Sequence, residues 1–190
     1  MWECFLISIS APPEKFWICP PTTISPGLFN RHFLSEYQQM VISEARREQR
    51  KAAILLMDLN CFKSINDTYG HEVGDMALVE TARILKRFTR AGETVFRLGG
   101  DEFLILIPRI EEAQALTGIR NRLEHFFQKE FEIPGYPIKM AFSIGMAVFP
   151  EDADNFDALL RNADQRLYED KASSRGYCSP PISQGEEEMN

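Results

Sequence analysis

The chain has 190 residues, of which 44% are hydrophobic and 26% charged, and a formal charge of −7. That composition describes an ordinary globular protein with one sizeable core and excludes two full domains joined by a linker. The acidic balance excludes a general nucleic-acid binder, because no basic field is available to hold a polyanion. In chain order, residues 1–21 come first. Their apolar stretch Cys4-Phe5-Leu6-Ile7-Ser8-Ile9 is short, follows Glu3 and runs into Pro12-Pro13, unlike a signal peptide or membrane span, and is read as a partly ordered arm. From Gly27 to Arg50, Leu28, Phe29, Phe33, Leu34, Tyr37, Val41 and Ile42 recur at mostly helical spacing, and Arg46, Arg47 and Arg50 suit a helix C-terminus. Ala52 to Met57 is continuously apolar, the pattern of a strand buried on both faces.

A short helix is predicted around Phe62 to Thr68, a loop at Gly70 to Gly74, and a long helix from about Asp75 to Thr89. A hairpin follows, in which Val95-Phe96-Arg97-Leu98 and Phe103-Leu104-Ile105-Leu106-Ile107 flank Gly99-Gly100-Asp101-Glu102. Then come a helix from about Glu111 to Gln128, a strand pair or bent strand in Ile138 to Phe149, and a helix from Phe156 to Ala172. Ser179 to Asn190 carries two prolines, Gly185 and Glu186-Glu187-Glu188, and reads as an acidic disordered tail. Antiparallel strands with helices packed on one side make an α+β layer. Cys4, Cys19, Cys61 and Cys178 are far apart with no CxxC, and the three histidines lack zinc-ligand spacing. Neither a disulfide framework nor a zinc site is therefore indicated, and the cytoplasm is the simplest compartment.

Two segments carry chemistry. Glycine lacks a Cβ, so Gly99-Gly100 permits a tight turn and lets a bulky anion approach the main chain. The adjoining Asp101 and Glu102 would repel a triphosphate unless a divalent cation lay between, which points to Mg²⁺-assisted phosphoryl or nucleotidyl chemistry. Taken alone, the turn reads more simply as an acidic surface hairpin. The second segment shifts that balance. The buried strand ends abruptly in Asp58-Leu59-Asn60, and a lone Asp there would most simply cap the next helix. Beside the Asp101 turn on a neighbouring strand, Asp58 would complete an oxygen-ligand site for Mg²⁺, which needs only one or two carboxylates plus substrate phosphates.

These blocks resemble the GGDEF-domain diguanylate cyclases, whose namesake stretch reads here Gly99-Gly100-Asp101-Glu102-Phe103. The resemblance extends through Asp58 to His71, Gly74-Asp75, Phe142 to Ala147, Ala163-Asp164 with Leu167-Tyr168, and Lys171 to Arg175. In order and spacing it covers roughly residues 27 to 177, so residues 22–177 are taken as one such domain between the arm (1–21) and the tail (178–190). It implies a ferredoxin-like, polymerase-palm-type central antiparallel sheet flanked by helices. The implied reaction is condensation of two GTP into cyclic di-GMP with release of two pyrophosphates, in bacterial second-messenger signalling.

The resemblance also implies roles. Asp58, the main-chain carbonyl of Leu59, Asp101 and Glu102 would hold Mg²⁺, or Mn²⁺ in its place, with Asp101 also the proton acceptor. Lys63 would stabilise charge in the transition state. Guanine offers N1–H and an exocyclic amine side by side, which a carboxylate accepts in bidentate fashion, so Asp75 with Asn66 would select GTP over ATP. The simpler readings are a helix-end residue for Asn66 and a helix N-cap for Asp75. His71, Gly99 and Gly100 would line the substrate site, and Lys171 and Arg175 would meet the phosphates, although two cations near a helix C-terminus also have a purely electrostatic explanation. Because one domain holds one GTP, catalysis would require a homodimer; no membrane segment or nucleic-acid partner is expected.

Two departures from the family pattern bear on activity. The opening motif Asp-x-Leu-Thr-Gly-Leu-x-Asn-Arg is replaced by Thr23-Ile24-Ser25-Pro26-Gly27-Leu28-Phe29-Asn30-Arg31, and Arg90-Ala91-Gly92-Glu93 stands where the product-inhibition Arg-x-x-Asp is found. Arg90 and Glu93 are thus the candidate product-inhibition site. No sensory or coiled-coil segment is expected before the domain, so a lone chain would be weakly active. The alternative is a non-catalytic GTP- or cyclic-di-GMP-binding module; a polymerase-like use of ATP is disfavoured by Asp75.

Overall fold

The computed structural model describes residues 27–173; the predicted arm, the predicted tail and Arg175 lie outside them. The elements are β1 (Phe29–Asn30), α1 (Arg31–Arg47), β2 (Lys51–Leu59), α2 (Phe62–Tyr69), α3 (His71–Phe88), β3 (Thr94–Gly99), β4 (Glu102–Ile110), α4 (Ala115–Glu130), β5 (Phe142–Phe149) and α5 (Phe156–Ser173). The five strands form one mixed sheet in the order β1-β3-β4-β2-β5. All pairings are antiparallel except β1 with β3. The expected ferredoxin-like, helix-flanked sheet is present.

The helices, however, cover both faces of the sheet rather than one. Along β2, Ala53, Leu55, Met57 and Leu59 enter a core with α3 and α4, while Ala52, Ile54 and Leu56 enter a second core with α1 and α5. Side chains of a strand alternate between faces, so an uninterrupted apolar run is stable only where both faces are covered. The run at Ala52 to Met57 already demanded this. Pairing with β4 on one side and β5 on the other makes β2 central.

Four local expectations are revised. The first helix begins at Arg31, because Asn30 accepts the Phe33 N–H through its side chain (3.0 Å) and acts as N-cap, leaving Phe29–Asn30 to pair with β3. No loop spans Gly70 to Gly74: Gly70 alone, at φ +85°, breaks the chain between α2 and α3. Asp75 therefore lies inside α3 and is not its N-cap. Within Ile138 to Phe149 only Phe142–Phe149 is strand, a single element rather than a pair; upstream of it Pro134, Gly135 and Pro137 favour a turn, closed by the Ile133–Tyr136 bridge. The fourth helix starts at Ala115, after a turn that separates it from β4 and in which the Ala115 N–H donates to the Glu112 carbonyl (3.1 Å).

Helix α5 is joined unusually closely to β5. A Cβ on Gly145 would lie 1.8 Å from the Ala163 carbonyl oxygen and 2.6 Å from the Leu167 nitrogen, so the two backbones touch where this residue has no side chain. Arg166 of α5 donates to the Met146 carbonyl (2.6 Å) and pairs with Asp152 (2.6 Å), whose other oxygen accepts the Val148 N–H (2.7 Å). The Arg166 hydrogen bond, chiefly, holds the Asp152 carboxyl below its ordinary value against the opposing effect of burial. Strand β5 lies at an edge of the sheet, and these side chains occupy its outer hydrogen-bonding groups.

Candidate functional site

The C-terminal end of β2 meets the N-terminal ends of β4 and β5. Asp58 is in register with Glu102 on one side and Ser143 on the other, and the Leu59 N–H donates to the Asp101 carbonyl (3.3 Å). By alternation Asp58 shares the face of Ile54 and Leu56, which is the face covered by α5. From the last turn of that helix Lys171 reaches it, with Nζ 2.8 Å from Oδ2. Asp58 is 13% exposed and Lys171 42%. The fold thus brings Asp58, Leu59, Asp101 and Glu102 to one sheet end, as the expected oxygen-ligand site requires, and adds Lys171 to them. Lys171 was expected at phosphates; here it bonds a carboxylate assigned to the metal.

Asp58 carries an electrostatic load. Burial, foremost, and then the charge of Asp101 push its carboxyl above the ordinary 3.8, outweighing the hydrogen bond and charge of Lys171. Ionising Asp58 therefore costs more in the folded than in the unfolded chain, and its contribution to stability falls as pH rises above 3.8. Asp58→Asn is expected to raise the urea midpoint at pH 7, with the gain vanishing as pH falls to the ordinary carboxylate range. A lower midpoint at pH 7 would show that the Lys171 pair outweighs the burial cost.

The Gly99-Gly100 turn is exposed, and Gly100 at φ +53° occupies the left-handed region. Sequence reasoning missed its brace: Arg97 donates through Nε (3.0 Å) and Nη2 (2.7 Å) to the Gly100 carbonyl. Its position two residues before Gly99 was the available signal. The loop after Asp58 is braced by the fully buried Ser143, which donates to Asn60 Oδ1 (2.8 Å).

The base-recognition candidates form a second group on α2 and α3. The Asn66 side chain lies against Gly74, where a Cβ would be 1.9 Å from its Oδ1, and so next to half-buried Asp75. Lys63 and His71 are exposed at the first turns of the same helices, and no hydrogen bond or ion pair joins either to Asp58. Arg90 and Glu93 are at the far end of β3, roughly 20 Å of extended strand from Gly99. There Glu93 accepts the Arg90 N–H (2.9 Å) and closes the turn, while Arg90 itself is exposed.

Among the described residues no three His, Cys, Asp or Glu side chains cluster as metal ligands. The oxygen donors at hand are Asp58 and Asp101, with the Leu59 carbonyl beside them. Hard oxygen donors carrying excess negative charge fit Mg²⁺, which draws its remaining ligands from water and phosphate. A groove lined by Leu116, Arg120, Met146, Asp152, Arg166 and Asp170 runs along the outer edge of β5, away from the base-recognition candidates. Among the described residues no helix is long and apolar enough to cross a membrane.

Comparison with known proteins agrees with this architecture. Residues 25–176 match the family model described as "Diguanylate cyclase, GGDEF domain". The chain is 39% identical over 150 residues to the bifunctional diguanylate cyclase/cyclic di-GMP phosphodiesterase MucR of Pseudomonas aeruginosa, covering 78% of this chain and 22% of that protein. It is 32% identical over 134 residues to diguanylate cyclase A of Treponema denticola, covering 70% of this chain and 36% of the relative. The chain thus spans well under half the length of these relatives. Among solved structures, the GGDEF domain of TpbB (YfiN) from P. aeruginosa superposes with a TM-score of 0.74 at 32% identity, covering 77% of this chain and 91% of that one. A sensory box/GGDEF family protein from Caulobacter crescentus gives 0.73 at 33% identity, covering 79% and 96%.

Proposed function

This chain belongs to the diguanylate cyclase GGDEF domain family, and on that footing we propose that it condenses two GTP into cyclic di-GMP, Mg²⁺-dependent and as a homodimer. The observation that carries the reading is the convergence of Asp58 and the Asp101 turn at one sheet end, with Lys171 bonded to Asp58. In each half-reaction a 3′-hydroxyl attacks the α-phosphate of the other GTP; an O–P bond forms, the bond to pyrophosphate breaks, and the hydroxyl proton passes to Asp101. Asp58, the Leu59 carbonyl and Asp101, assisted by Glu102, would hold the cation. When bound, Mg²⁺ supplies charge neutralisation at the triphosphate.

The chain's own groups do the rest. Gly99 and Gly100 let the phosphates approach the backbone, and Arg97 keeps the turn in shape. Lys171 lies close enough to Asp58 to meet a phosphate bound there, and Arg175 and Lys63 are assigned to the same charge. Asn66 and Asp75 read the guanine edge, with His71 at the rim; the contact of Asn66 with Gly74 sets their mutual position. A carboxylate facing adenine would lack its donor pair, so ATP is rejected, by a factor of up to ~10⁴ where such pairing is lost. Arg90 is assigned to product feedback. GTP as substrate places the domain in the cytoplasm.

The test is incubation of the full chain at several concentrations with GTP and Mg²⁺, with ATP as control, assayed for cyclic di-GMP and pyrophosphate. Product formed from GTP alone, at a rate rising faster than linearly with protein, is the expected result. GTP binding without product would instead identify a non-catalytic binding module.

A further inference from the structure

We propose that Arg120 and Asp170 form a clamp that aims Lys171 at the Asp58–Asp101 site, making both of them positioning residues; the proposal rests on the cyclase reading for its kinetic consequence. Lys171 is a long, flexible side chain in the last turn of α5, where helices fray. A carboxylate beside it is a local misfit, because the C-terminal end of a helix disfavours negative charge. Asp170 occurs there nonetheless. Its Oδ2 accepts the Ile144 N–H of β5 (2.8 Å) and its Oδ1 accepts Arg120 Nη2 of α4 (2.6 Å), with the side chain 13% exposed. Arg120 is in turn held by Glu124 (2.8 Å).

Three elements thus converge one residue before Lys171. The body of α5 is already fixed upstream by the Gly145 contact and the Arg166–Asp152 pair. Arg120 and Asp170 add a pin at the last turn, the part that upstream contacts hold least. With the Asp170 carboxylate fixed to the β5 edge, the neighbouring Lys171 backbone is fixed relative to β2, and its ammonium reaches Asp58. A residue that breaks a local rule and is paired on both oxygens is best explained by what it positions.

The test is a double-mutant cycle in the full chain, with Asp170→Ala, Lys171→Ala and their combination, and Arg120→Met should Asp170→Ala fail to fold. Asp170→Ala is expected to lower kcat/KM for GTP by roughly 10-fold, and by no more than about 2-fold once Lys171 is already alanine. Equal losses in both backgrounds would mean a merely structural role and overturn the clamp. Acylation of the Lys171 amine by an N-hydroxysuccinimide ester, followed by peptide mass spectrometry, needs no turnover. Labelling is expected to quicken several-fold in Asp170→Ala or Arg120→Met, and unchanged labelling overturns the clamp. A wild-type chain that makes no product overturns the cyclase reading alone, and the labelling then decides the clamp.

Discussion

Alanine in place of Asp101 is expected to stop cyclic di-GMP synthesis while leaving the chain folded. The loss should be on the order of 10³-fold in kcat, the upper range for removing one group that stabilises transition-state charge, since Asp101 is assigned both to the cation and to the proton. The fold should survive because Asp101 sits half-buried in an exposed turn and belongs to neither core. Its removal also takes away one of the two influences that push the Asp58 carboxyl upward. Initial rates with GTP and Mg²⁺, beside urea unfolding of the same preparation, check both halves. Retained synthesis would remove Asp101 from the metal and base roles, while an unfolded variant would give the turn a structural part that its surroundings do not suggest.

The second large effect lies in the scaffold. Gly145→Ala is expected to destabilise the chain by more than the roughly 1–3 kcal/mol typical of overpacking, because the new methyl would meet backbone rather than a side chain that can turn away. The Ala163 oxygen and Leu167 nitrogen can be relieved only by shifting α5 as a whole. That shift would also draw Lys171 from Asp58, so surviving protein should lose activity. Gly118 in α4 is the control: a Cβ there meets nothing within 4 Å, and Gly118→Ala should stabilise by about 1 kcal/mol. Urea midpoints of the two variants decide the matter. An unchanged Gly145→Ala midpoint would mean that α5 can slide on β5 without cost.

Local signals were read well where one residue's surroundings are its own sequence neighbours. The Gly-Gly hairpin, the long third helix and the last helix lie close to where periodicity put them. Errors gathered at boundaries and layers. Phe29–Asn30 reads as helix by apolar spacing, yet becomes strand because β3 offers it a partner. Asp75 reads as an N-cap because the helix is predicted to begin there, after a loop at Gly70 to Gly74, but the chain breaks at Gly70 and Gly74 is small because Asn66 packs on it.

By itself the sequence determined that the run Ala52 to Met57 is a strand buried on both faces, that acids sit at its end and in a glycine turn, and that one family's blocks occur in order. The strand order that makes β2 central, and the helices on both faces of the sheet, came from the tertiary structure. Tertiary structure alone decided that Lys171 bonds Asp58, that Arg97 braces the turn, that Asp170 is tied to α4 and β5, and that Gly145 carries the weight of α5. The physical reason is range. Periodicity and turn chemistry report interactions within a few residues, whereas Asp58 and Lys171 are more than a hundred residues apart. Only the register of five strands and the seating of α5 bring them within a hydrogen bond.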